Sequence, residues 1–238
     1  MVARSKATKK KAAKRVVTRV DVERISPKFE ERRAELAEAA LVTLSDLGYA
    51  RTSLREIAQN TEYSHGVLHY YFADKVELIT YCVKRFKARC VQRYDEAVAG
   101  ARAPHELERL CAGAMVATLR NDAKLHRLWY DLRSQTLYES SFRADVAEID
   151  ESLRQMIWRV VEQYAELTGE APRVGSQMTY AMFDGAFHHA LHRHFAGDPR
   201  ATADLEDQVV HLLRSISQPM VRDVAKVIRP ARSAQRAR

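Results

Sequence analysis

The stretch Ser53 to Lys75, SLREIAQNTEYSHGVLHYYFADK, constrains the fold of this chain more than any other part. It reads as two short helices joined by a tight turn, followed by the start of a third. Ser53 and Glu56 have the spacing of a capping box, which satisfies backbone N–H groups left open at a helix start. Asn60 to Tyr63 supply the turn, and Ser64 is an N-cap for the second helix, expected over about 64–72. On that helix Leu68 and Phe72 lie four apart on one side, with His65, Gly66, His69 and Tyr70 on the other. One face can pack while the other stays free to read a surface such as a DNA groove.

The rest of the chain repeats helical spacing. Ser26-Pro27 is a helix start, Leu36, Ala40, Leu44 and Leu47 continue it, and Gly48 ends it. After Asp74 a long helix is expected to about Ala99, with Ile79, Cys82/Val83, Phe86, Cys90, Tyr94 and Val98 on one stripe. Pro104 opens another, carrying Leu107, Leu110/Cys111, Met115 and Leu119. Asn121-Asp122 is expected to break it before Leu125, Leu128/Trp129 and Leu132. Phe142, Val146, Ile149, Leu153, Met156/Ile157, Val160 and Tyr164 form the clearest amphipathic run, closed by Gly169. Two further helices are expected, about Pro172 to Ala196 and Thr202 to Ser217, and Met220 to Ile228 suggests a last short amphipathic segment. With eight glycines and six prolines in 238 residues, punctuation is sparse and helix formers dominate. The expected fold class is all-α.

The net charge of +8 is unevenly placed. Residues 1–24 hold nine Lys/Arg against two acids and residues 222–238 hold six against one, which leaves the body between them at −4. The high pI therefore describes two tails around a mildly acidic globule. Residues 1–25 lack an apolar stripe and are read as a disordered basic tail, either simply solvated or tracking DNA phosphates. Cys82, Cys90 and Cys111 form no CxxC pair and are an odd number, which fits reduced core thiols in a cytoplasmic protein better than a disulfide framework. No run reaches the length of a signal peptide core or a membrane span.

The order of helices together with TSLREIAQNTEYSHGVLHYYFADKVEL resembles the N-terminal DNA-binding domain of the TetR family of transcriptional regulators, over about 28–80. The resemblance implies an N-terminal three-helix DNA-binding domain at 26–73, a helical ligand-binding and dimerisation domain at 74–228, and a polar tail at 229–238. It implies that Thr52 and Ser53 lie near phosphates, that Ser64, His65, Gly66, His69, Tyr70 and Tyr71 lie on or beside the reading surface, and that Lys75 clamps the backbone. Val67 stands where the family usually has threonine and His69 where it usually has tyrosine, so the operator sequence does not carry over.

The family also places a small-molecule pocket among the middle helices. The candidate lining is Phe86, Cys90, Met115, Leu119, Trp129, Arg133, Met156, Met178 and Met182, with Arg133 suited to orient an anionic or carbonyl group. The segment HHALHRH puts His188 and His192 one turn apart, and Asp184 repeats that spacing. A zinc site would need further ligands that nothing fixes, so a histidine-rich dimer face is preferred and no metal or other cofactor is expected. Leu205, Val209, Leu212/Leu213 and Ile216 are expected to pair with Phe183, Phe187 and Leu191 across a two-fold axis. The expected partners are an operator in double-stranded DNA, a small-molecule effector and a second copy of the chain, with no membrane. The function expected is a repressor released by its ligand. The alternatives are an activator or ligand-free regulator, an architectural DNA protein using both basic tails, and an enzyme built on Asp184, His188 and His192. No nucleophile motif or Gly-rich phosphate loop supports the last.

Overall fold

A computed structural model describes residues 26–217. The basic tail, the amphipathic segment at 220–228 and the polar tail at 229–238 lie outside the described residues. Among those described there are eight α-helices and one 3-10 turn and no strand. They are α1 Pro27–Leu47, α2 Leu54–Gln59, α3 His65–Tyr71, α4 Lys75–Gly100, α5 Pro104–Gln135, α6 Arg143–Thr168, α7 Ser176–Phe195 and α8 Ala201–Ser217, with the 3-10 turn at Ser140–Phe142 before α6.

Helix starts follow their caps. Ser26 Oγ accepts from the Phe29 N–H at 3.2 Å, Ser53 Oγ from Glu56 at 3.2 Å and Ser64 Oγ from Val67 at 3.3 Å. At α4 the Asp74 carboxylate accepts from the Glu77 N–H at 2.9 Å, and Glu77 reaches back to the Ala73 N–H at 2.7 Å. Each bond satisfies a donor that the helix itself leaves open. Gly48 ends α1 with φ +76°, where an added Cβ would also press on Asp131 at 3.3 Å. That left-handed backbone turn lets the chain reverse into α2.

Asn121-Asp122 interrupts α5 as expected: Asp122 leaves helical geometry, with φ −120° and ψ 15°, and two helical stretches meet there across a kink before the second runs on to Gln135. The Asp122 carboxylate takes the Arg93 guanidinium at 3.1 Å, so a cross-helix ion pair sits at the kink. One expected boundary differs: the seventh helix begins at Ser176 rather than near Pro172, and before it the Arg173 N–H is bonded to the Ile216 carbonyl at 3.1 Å, which ties this segment to the end of α8 instead of into a helix.

One apolar core runs from α1 to α8. α4 connects its two ends, packing on α1, α5 and α6. Leu78, Ile79 and Cys82 of its first half are buried with Leu36, Ala40 and Leu44 of α1, while Phe86, Cys90 and Tyr94 of its second half are buried in the same core as residues of α5 and α6. The end of α1 is tied directly to α5 as well, by Arg127 donating to the Ser45 carbonyl at 2.8 Å and Lys124 pairing with Asp46 at 2.7 Å. All three cysteines are buried free thiols. Burial pushes the Cys82, Cys90 and Cys111 thiols up, Cys111 to about 12, which keeps them protonated.

Candidate functional site

α3 is too short to be stable alone, so its inner face decides where it sits. Leu68 and the C-cap Phe72 are fully buried, and Val67 and Tyr71 pack at the edge of the same core. That leaves His65, Gly66, His69 and Tyr70 exposed. His65 and His69 meet edge-on at 4.4 Å one turn apart, and Tyr70 stands 51% exposed with its ring edge-on to Phe29 at 6.0 Å. Tyr71 leans inward, its ring 4.7 Å from Phe29. A Cβ at Gly66 would meet nothing closer than the Ser64 Oγ at 3.9 Å, so the glycine is not required by packing within the chain. The result is a small, convex, aromatic and imidazole surface backed by a rigid core.

The flanking residues are placed less simply. Ser53 is exposed at the start of α2, with Arg55 exposed beside it. Thr52 is buried, and its hydroxyl donates to the Gly48 carbonyl at 2.6 Å, so this side chain holds the turn between α1 and α2 together. Its hydroxyl does not reach the surface where a phosphate would sit. Lys75 opens α4 with its ammonium 3.2 Å from the Tyr49 carbonyl and 4.2 Å from the centre of the Tyr49 ring. Those contacts offset the unfavourable position of a cation at a helix N-terminus.

A small cavity lies between α4, α5, α6 and α7. Met115, Leu153, Met156, Ile157, Phe183 and Phe187 give it apolar walls, and Lys87, His126, Tyr130, Tyr180 and Asp184 bring polar groups to it. Lys87 is only 4% exposed. Desolvation pulls its ammonium down to about 8, and burial followed by the nearby Lys87 and Arg93 holds the His126 imidazole well below its usual range. The ammonium and His126 Nδ1 are 3.1 Å apart. Desolvation, then Asp184, pushes the Tyr130 hydroxyl up, and desolvation, then Asp150, does the same for Tyr180. Both therefore stay neutral donors, Tyr130 to Asp184 at 2.9 Å and Tyr180 to Asp150 at 2.6 Å.

Of the nine residues expected to line a pocket, Cys90, Met115 and Met156 do so. Phe86, Leu119 and Trp129 are buried in the core, outside the lining. Arg133 is likewise outside it, because its guanidinium bridges Asp184 at 2.6 Å and Asp150 at 3.3 Å and is not free to orient a ligand. Met178 is 59% exposed, and Met182 sits in a shallow groove with Ala186, Asp207, His211 and Leu212 on the outer side of α7 and α8. Lys87 is a lining residue outside the expected set, and it stands on the apolar stripe of α4 between Val83 and Cys90. A lysine at such a position is itself the signal.

The expected pairing of α7 and α8 across a two-fold axis needs correcting. Phe183, Phe187 and Leu191 are buried within the chain, as are Leu205, Val209, Leu213 and Ile216, and all belong to the continuous core. Their contacts are made inside one protomer. His188 and His192 do approach, with their Nε2 atoms 3.2 Å apart, and His188 stacks on Tyr130 at 4.0 Å. Among the described residues no group of three or more His, Cys, Asp or Glu is placed to hold a metal ion.

A family model described as bacterial regulatory proteins, tetR family, matches residues 36–82. The HTH-type transcriptional regulator HbdR of Aromatoleum sp. (strain CIB) is 32% identical over 82 residues, 34% of this chain and 35% of that protein, so the chain spans about a third of it. The HTH-type transcriptional repressor KstR2 of Mycobacterium tuberculosis (strain ATCC 25618 / H37Rv) is 24% identical over 197 residues, covering 69% of this chain and 97% of the relative. The crystal structure of FadR from Bacillus subtilis in complex with stearoyl-CoA shares the fold, with a TM-score of 0.64 at 16% identity over 78% of this chain and 99% of that one.

Proposed function

We propose that this chain, whose residues 36–82 match the family model of bacterial regulatory proteins, tetR family, is a homodimeric, cytoplasmic, DNA-binding transcriptional regulator of that family, a repressor that leaves its operator when a small molecule enters the α4–α7 cavity. The observation that carries this reading is α3, whose Leu68 and Phe72 are locked in the core while His65, Gly66, His69 and Tyr70 are presented outward. KstR2 is named a repressor, and FadR was crystallised with stearoyl-CoA. The first supports repression here and the second a small-molecule ligand.

In this reading α3 enters the major groove, Tyr70, His65 and His69 meet base edges, and Ser53, Ser64 and Lys75 meet phosphates. Tyr71 acts from behind by fixing Tyr70, whose ring is 5.0 Å from its own. Thr52 positions the turn, and its backbone rather than its hydroxyl is available to a phosphate. Between residues 51 and 84 four Lys/Arg face four acids. Attraction to DNA must then come from the second subunit and the basic tail, which makes dimerisation part of recognition.

The mechanism is a population shift. Lys75 beside α3 and Lys87 in the cavity lie on the same helix, separated by about 18 Å of axial rise. A ligand that favours a different tilt of α4 moves α3, and in a dimer the spacing of the two reading helices changes with it. Ligand and operator then exclude one another.

Replacing Tyr70 with alanine is expected to leave the melting temperature near that of the parent, since the ring is half exposed, and to weaken operator binding by about 1–3 kcal/mol with altered sequence preference. Fluorescence anisotropy against operator and scrambled duplexes measures both. Lys75→Ala is expected to weaken binding to every duplex alike and to lower the salt slope by about one. An unchanged slope would remove Lys75 from the phosphate contacts.

The surface proposed for the two-fold contact is the outer side of α7 and α8, where Met178, Met182, Ala186 and Leu212 remain at least partly exposed. A charge on each side of a two-fold contact meets its own copy, so Met182→Glu is expected to yield a folded monomer in sedimentation velocity and to lose operator affinity. A Met182→Glu protein that stays dimeric at micromolar concentration would place the interface elsewhere.

A further inference from the structure

We propose that the cavity recognises organic anions, small carboxylates with an apolar body, and that the Lys87 ammonium is the group that binds the carboxylate; this rests on reading the cavity as the effector site. The first observation is a buried cation without a counter-ion. Lys87 is 4% exposed, and its ammonium has one hydrogen-bond partner among the described residues, His126 Nδ1 at 3.1 Å. An ammonium has three donors, so the partner leaves two unused. The aromatic rings of Trp129 and Phe86, centred 5.1 Å and 5.6 Å from the nitrogen, attract it but carry no countercharge and leave its N–H donors unused.

The second observation is that the carboxylates of this region are already committed. Asp184 accepts from Tyr130 at 2.9 Å and from Arg133 at 2.6 Å. Asp150 accepts from Tyr180 at 2.6 Å and faces Arg133 at 3.3 Å. Neither reaches the Lys87 ammonium within ion-pair distance among the described residues. An incoming cation would have to displace Arg133 while facing Lys87. An incoming carboxylate meets an ammonium with free donors in a place where water competes poorly.

The third is the wall opposite the charge. Met115, Leu153, Met156, Ile157, Phe183 and Phe187 offer only carbon and sulfur, so the remainder of the ligand is apolar. The flexible methionines let the wall fit chains or rings of somewhat different shape. A buried charge with no partner costs stability, and such a group is explained if a ligand supplies the missing charge.

The test uses the full chain without DNA. Isothermal titration at neutral pH compares unbranched carboxylates from butanoate to dodecanoate and phenylalkanoates with their primary amides and with the matching amines. At least one carboxylate is expected to bind, about tenfold or more tighter than its amide, and its amine not at all. Lys87→Met, and Lys87→Gln as a second variant, are expected to bind carboxylate and amide alike. Equal binding of acid and amide to the parent chain, preference for the amine, no binding by any member, or a preference that survives both substitutions would each overturn the proposal. Operator release is measured separately. A carboxylate held through Lys87 that leaves operator affinity unchanged would contradict the effector reading alone, and release by an amide with no preference for the acid would contradict the anion alone.

Discussion

Lys87→Met is expected to make the ligand-free protein more stable, by about 2 kcal/mol at pH 7, although it removes a side chain from the centre of the regulatory half. Methionine fills nearly the same volume among Phe86, Trp129 and the methionines and carries no charge to desolvate. Burial lowers the Lys87 ammonium from 10.5 to about 8, so the folded chain holds this proton less tightly than the unfolded chain does. At pH 7 both states are protonated and the full penalty is present. Between about 8 and 10.5 the unfolded chain keeps a proton that the folded chain has lost, so the parent's stability from this group rises with pH. The advantage of the methionine variant should therefore be largest at pH 7 and shrink across that window. Urea unfolding of both proteins at pH 7 and pH 10 reads it. A variant less stable than the parent at pH 7 would mean that the ammonium is already compensated within the chain. Gains of this kind at the expense of a ligand group are a common trade between stability and function.

Phe72→Ala is expected to have the opposite sign and a larger size, a loss of about 3–5 kcal/mol. Phe72 is fully buried at the C-cap of α3, where its N–H bonds to the Leu68 carbonyl at 2.8 Å. Its ring meets Tyr81 of α4 edge-on at 5.7 Å and lies under the Arg33 guanidinium at 5.0 Å. The residue thus joins the reading helix to the helix that borders the cavity. Removing it frees α3 to tilt, so operator binding should fall further than for Tyr70→Ala, which takes away a contact without moving the helix. Both tryptophans, Trp129 on α5 and Trp158 on α6, lie outside the N-terminal unit, so their emission should change later than the loss of operator binding as urea is raised. Coincident transitions would show that the N-terminal unit and the regulatory half melt together.

The reading unit was legible because its signals are local. Ser53, Ser64 and Asp74 cap the helices their positions suggest, and the alternation of Leu68 and Phe72 with His65, His69 and Tyr70 is set by helix period alone. The cavity was less legible because it is made by four helices whose mutual rotation no single stripe fixes. Phe86, Cys90, Met115 and Trp129 all look alike in sequence, yet only Cys90 and Met115 reach the cavity lining. Arg133 is the one charged residue of the expected lining, and its partners Asp150 and Asp184 are distant in sequence and arrive only by folding. Phe183, Phe187 and Leu191 look equally suited to packing on α8 of the same chain or of a second copy, since an apolar stripe does not say whether its partner is the next helix or the next copy. Met182 and Ala186 lie on the side of α7 that the chain leaves partly open.

The central claim, that two copies of α3 read a symmetric site, is tested most directly by selecting bound duplexes from a random pool and footprinting the enriched sequence. The expected result is a short inverted repeat protected at two half-sites on one face, about one helical turn or a multiple of it apart, with His65→Ala and Tyr70→Ala changing the bases selected. Enrichment of no sequence, or of an asymmetric one indifferent to both substitutions, would contradict it.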